Sequence, residues 1–124
     1  MMPEDIYSVA YTAGMDAGNN AIPVPMMVGT PTTTFGNKID SSKPVYHVSE
    51  GVCGFAEVVI RPARGKFVSW LKKNHIGRKH YYGGWSIWVS EFGQSLERKE
   101  AFARAFAKVL RDYGIEARME SRMD

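Results

Sequence analysis

The sequence predicts an α+β domain: a mixed or antiparallel sheet of about four strands with two helices on one face, preceded by a further helix at the N-terminus. Three observations carry this. Apolar residues recur at helical spacing in "SLERKEAFARAFAKVLRDYG", they alternate in "FAEVVIR" and "WSIWVS", and turn residues separate the two kinds of segment. The order β-β-α-β-α-β then gives a sheet whose apolar face needs a helical layer to cover it.

Residues 4–21 read as the N-terminal helix. Tyr7, Ala10, Tyr11 and Gly14 lie at helical spacing, and small residues recur every four positions at Ala10, Gly14 and Gly18. Glycine costs a helix about 1 kcal/mol relative to alanine, so two of them imply close approach of another backbone. That approach is either packing within the fold or a homodimer contact through Ala10, Gly14 and Gly18. The G-x-x-x-G spacing signals membrane packing only inside an apolar segment, and Asp16, Asn19 and Asn20 interrupt this one.

Residues 22–44 follow as an extended, Pro/Thr/Ser-rich connection. Pro23 and Pro25 forbid helix, and "TPTTTFGNKIDSSKP" reads as an exposed loop. The compact domain is expected over residues 45–124. "VYHVSEGVCGFAEVVIRP" predicts two strands joined at Ser49-Glu50-Gly51, which would make His47 and Cys53 neighbours. In the second strand Ala56, Val58 and Ile60 form one apolar face, and Pro62 ends it.

"RGKFVSWLKKNHIG" predicts a helix with Phe67, Trp70 and Leu71 inward and Gly77 as its stop. "HYYGGWSIWVS" returns as a strand, with Trp85, Ile87 and Val89 on one face and Ser86, Trp88 and Ser90 on the other. Gly83-Gly84 fits a bulge, a tight turn or a place where a ligand nears the backbone, the bulge being preferred; it lacks the P-loop pattern. The last helix has Ser95 as N-cap, Glu97 in its first turn, Phe102, Phe106, Leu110 and Tyr113 along one stripe, and Gly114 as its stop. "IEARMES" alternates as a half-exposed final strand.

Four phrases together, "AGMDAGNNAIPVPM", "YYGGWSIWV", "QSLERKEAFARAFAKVLRDYGI" and "SRMD", resemble small uncharacterised proteins of tailed phages and environmental sequences. The resemblance covers most of the chain outside the Thr/Ser-rich loop. It implies a phage-like or metagenomic origin, and it brings with it no activity and no catalytic residues.

Charge supplies the functional lead. Residues 58–90 hold seven basic residues and no acid, while the rest of the chain holds nine basic residues against thirteen acids. A cationic segment rich in Trp and Tyr suits phosphates and exposed bases together. The reading is a non-enzymatic nucleic-acid-binding accessory protein, with Arg64, Lys66, Lys72, Lys73, Arg78 and Lys79 on phosphates and Tyr81, Tyr82 and Trp88 on bases. Its expected partner is single-stranded nucleic acid. The alternative is a homo-oligomeric structural or protein-interaction module. Against both stands an ordinary solvated helix face, with Phe67, Trp70 and Trp85 serving the core.

Enzymatic readings are weaker. His47 with Cys53 could form a nucleophile pair, but one cysteine beside Val52, Gly54 and Phe55 reads as a small buried residue. No catalytic residue, metal site or cofactor is expected: His75 and His80 have no carboxylate nearby in sequence, and Glu57 is expected to meet a base on a neighbouring strand such as Arg118. With one cysteine, no basic leader followed by an apolar run, and no apolar stretch near the ~20 residues of a membrane span, a cytoplasmic protein without a membrane partner is expected.

Overall fold

The computed structural model describes residues 1–23 and 51–124, together with the backbone of 26–28 and 46–48. Its elements are α1 (Pro3–Asn20), β1 (Met26–Val28), β2 (Tyr46–Val48), β3 (Gly54–Ile60), α2 (Lys66–Lys73), β4 (Arg78–Lys79), β5 (Trp85–Trp88), α3 (Leu96–Asp112) and β6 (Ala117–Met123). This is the α+β architecture that the two periodicities imply. The main sheet has four strands in the order β4-β5-β3-β6, and every neighbouring pair is antiparallel.

Alternation along β3 decides the two faces of that sheet. Ala56, Val58 and Ile60, with Ile87, Val89 and Ala117 beside them, enter a buried cluster with Ile6 and Ala10 of α1, Phe67, Val68 and Leu71 of α2, and Phe102, Phe106 and Leu110 of α3. All three helices therefore lie on one side of the sheet, α3 directly against β3 and β6 and α1 packed on α3, so α1 joins the core. The opposite face carries Phe55, Glu57, Val59 and Arg61 of β3. Register places Ser86 and Trp88 of β5, Arg118, Glu120 and Arg122 of β6, and Arg78 of β4 beside them.

The small-residue line of α1 is spent inside the fold, which corrects the oligomer-interface reading. Ala10, Gly14 and Gly18 are all buried. A Cβ on Gly14 would lie 2.8 Å from the Phe102 ring, and one on Gly18 would overlap the Phe92 ring. The glycines are thus seats for two phenyl rings. Because α1 has no basic residue in its last turn, Arg98 of α3 supplies one, donating from Nη1 to the Gly18 carbonyl at 3.0 Å.

Two expectations change. The strand at 46–48 pairs with β1, not with β3, in the register Met27↔His47, so it forms no hairpin with β3 and His47 and Cys53 are not on paired strands. Strand β1 falls in the segment expected to be extended, and the first strand of the main sheet is β3, from Gly54; the loop reading of 30–44 lies outside the described residues. Gly83 and Gly84 have φ of 94° and 96° and form the turn of the β4–β5 hairpin, where His80 N–H donates to the Gly84 carbonyl at 2.9 Å. The preferred bulge gives way to the tight turn because two consecutive left-handed residues reverse the chain.

Candidate nucleic-acid interface

The helix-free face of the sheet is a groove of about 600 Å³, lined among others by Phe55, Arg78, Tyr82, Trp88 and Arg122. Its parts follow from strand alternation. Phe55 on β3 and Trp88 on β5 meet with ring centroids 5.4 Å apart. Arg78 lies 5.3 Å from the Trp88 ring, and Arg122 lies 5.5 Å from that of Phe55. Lys99, buried on the sheet-facing stripe of α3, brings its Nζ to 5.5 Å from the same phenyl ring and donates to the Gly54 carbonyl at 3.4 Å. Three cations thus surround one aromatic pair.

At the other end the β4–β5 turn folds back over the sheet. Arg61 donates from Nε to the Gly83 carbonyl at 2.9 Å, and Gly84 lies so close to Arg61 and the Ile60 carbonyl that a Cβ there would meet both within 2.7 Å. The turn presents Tyr81 and Tyr82 at 90% and 82% exposure, their rings edge to face at 4.8 Å. These two are the least covered rings among the described residues, so they are free to meet a ligand.

Between the two ends runs a polar floor. Tyr82 N–H donates to His80 Nδ1 at 3.0 Å, and an Arg61 guanidinium nitrogen lies 3.1 Å from the same atom. Nδ1 is therefore an acceptor, and the ring proton sits on Nε2. That nitrogen faces Glu57 Oε1 at 2.8 Å and Glu120 Oε1 at 3.2 Å. Glu57 Oε2 accepts from Ser86 Oγ at 2.8 Å, and Glu120 Oε2 accepts from Arg61 at 2.7 Å and Arg118 at 3.3 Å. The Arg61 hydrogen bond and charge, helped by His80 and Arg118, hold the Glu120 carboxyl below the usual glutamate range against the opposing pull of burial.

Glu57, His80 and Glu120 bring three metal-binding side chains within 4.8 Å of one another. The hydrogen bonds argue against a cation there. Nε2 would have to lose its proton while Nδ1 still accepts from a backbone amide, which leaves an anionic imidazole ring. Arg61 beside the group adds like-charge repulsion. The cluster instead anchors the tyrosine-bearing turn onto the sheet.

Not every residue of the expected basic patch reaches this face. Arg78, Lys79, Tyr81, Tyr82 and Trp88 line the groove, with Trp88 half-buried. Arg64, Lys66, Lys72 and Lys73 do not: the first two stand at the start of α2 and the last two at its C-terminal end, in the helical layer. Lys72 lies 5.3 Å from the Trp85 ring. The reason is geometric, since α2 turns Phe67, Val68 and Leu71 to the core and thereby sits across the sheet from the open face.

Sequence reasoning missed Phe55, Glu120 and Arg122 as groove residues, Arg61 and Lys99 as side chains that support it from behind, and His80 as the partner of two carboxylates. Glu57 meets His80 and Ser86, while Arg118 goes to Glu120 instead. The alternation of β3 and β6 would have put Phe55, Arg118, Glu120 and Arg122 on one face, had the register been available. His75 follows α2 in a left-handed conformation, φ 57°, and takes no part in the cluster. Cys53 is exposed.

No protein-family model matches the chain, and comparison with curated proteins and with solved structures finds no match. No helix among the described residues is long and apolar enough to cross a membrane.

Proposed function

We propose that the protein is a non-enzymatic nucleic-acid-binding accessory protein that takes a single strand on the open face of its sheet. One observation carries the reading: the Phe55–Trp88 ring pair with Arg78, Lys99 and Arg122 within 5.5 Å of its rings. Flat rings accept bases of any sequence, and the arginines answer the phosphates. The sheet register also favours an anion, since the open face carries four arginines (Arg61, Arg78, Arg118, Arg122) against two glutamates. A duplex offers no unstacked base to this pair, so single strands are the better substrate.

The test is a titration of a dye-labelled ten-nucleotide single strand with the protein at low salt, followed by fluorescence anisotropy, with tryptophan quenching read alongside in the wild type. Quenching is expected, and Phe55→Ala with Trp88→Phe should weaken binding by ten-fold or more, from roughly 1–3 kcal/mol per stacked base. Equal binding by this double variant, with the fold intact by circular dichroism, would sink the proposal.

A further inference from the structure

We infer that the floor of this groove selects bases that present N–H donors on their Watson–Crick edge, guanine above all, over thymine and uracil. The inference rests on the single-strand reading above and names the bases that the same site takes.

The argument starts from position. Glu57 is the register partner of Trp88 on one side and of Glu120 on the other. A base stacked on the Trp88–Phe55 pair therefore has the Glu57 carboxylate next to its edge. The Glu57 and Glu120 side chains are 16% and 30% exposed, so both reach the groove. An ionised carboxylate only accepts, through about four lone-pair positions. Glu57 uses one on His80 Nε2 and one on Ser86 Oγ, and it is among the residues that line the groove.

The bases differ in what they offer. Guanine presents N1–H and an N2 amino hydrogen side by side, a bidentate match for a carboxylate. Cytosine and adenine offer one amino group. Thymine and uracil flank a single N–H with two carbonyl oxygens, and a carboxylate repels both. Selectivity comes as much from that repulsion as from the new bonds. The phosphates face the other way, toward Arg78 and Arg122 at the rim, so backbone affinity and base choice are carried by separate residues.

The experiment compares two ten-nucleotide strands by fluorescence anisotropy at one fixed low salt concentration. One is all thymidine and the other carries two central guanosines, with the matching uridine and guanosine RNA strands alongside. The guanosine strands are expected to bind about ten-fold tighter, the discrimination of one good bidentate pair. Glu57→Gln should shrink that ratio below about three-fold, because an amide both donates and accepts. Arg122→Ala should weaken all strands alike and leave the ratio unchanged. Thermal melting of each variant separates lost selectivity from lost fold. Tight binding with equal affinity for both strands, or a preference for thymidine, overturns the base inference and leaves single-strand binding standing. Absence of binding by every strand overturns both.

Discussion

His80 shows how one side chain settles the geometry of a surface. Its Nδ1 is held by a backbone amide and its Nε2 by two carboxylates, so the ring cannot turn without breaking several contacts. His80→Ala removes one of the two partners of a largely covered Glu57 and loosens the Tyr81–Tyr82 turn on the sheet. A loss of about 1–3 kcal/mol is expected in chemical denaturation, the range for a stranded buried polar group. Single-strand affinity should fall with it although no ligand contact was cut. Glu120 gives a second prediction. Its folded-state pKa lies below that of an ordinary glutamate, so the unfolded chain takes up the proton first as pH falls. Its stabilising contribution is complete above the ordinary glutamate pKa and disappears as pH drops through the lowered one. Melting temperature measured across the acid range should fall less steeply in Glu120→Gln than in the wild type. These residue-scale features were hidden in the sequence for one reason. His80 is 23 positions from Glu57 and 40 from Glu120, and only strand register brings the three together.

At the scale of elements, α1 has the clearest mutational signature. Gly14 and Gly18 each receive a phenyl ring, so a side chain at either must displace Phe102 or Phe92. Gly14→Leu should cost about 1–3 kcal/mol, the usual range for an overpacked core. Light scattering should give the same mass for variant and wild type, because the line faces inward. The sequence made the close approach legible through the recurrence of Ala10, Gly14 and Gly18, but it could not say whose backbone or ring approached. The same holds for α3. Ser95 caps it as expected, accepting from Arg98 N–H at 3.4 Å, and Phe102, Phe106 and Leu110 are buried. Local signals carry such elements because cap and stripe lie within one segment. The β4–β5 hairpin was misjudged because β4 has two residues, too few to show a period. The partner of 46–48 was misjudged because two adjacent strand-like runs look like a hairpin whatever they pair with.

For the whole molecule, the segregation of charge along the chain proved a partial guide to its segregation in space. The acid-free run 58–90 crosses from open face to helical layer and back. It therefore gives the groove Arg78 and Lys79, sets Arg61 on the same face of the sheet, and leaves the α2 lysines elsewhere. The C-terminal strand, with no such bias, contributes Arg122 to the groove and Arg118 to the same face. Salt should expose this division. If each arginine at the rim neutralises one phosphate, log affinity plotted against log salt loses about 0.7 in slope for each one removed from a single-strand complex. Arg78→Ala and Arg122→Ala should each flatten the line by that amount, and Lys66→Ala and Lys73→Ala should leave it unchanged.

Lys99 passes beside Gly54, where a Cβ would collide with Leu96 and the Arg122 carbonyl, and so connects α3 to a ring on the far side of the sheet. The four-stranded layer is thus not an insulator between its two sides. A base settling on Phe55 would tug on the ammonium beneath it, and slower amide exchange in the opening turns of α3 would report occupancy of a surface which that helix never touches.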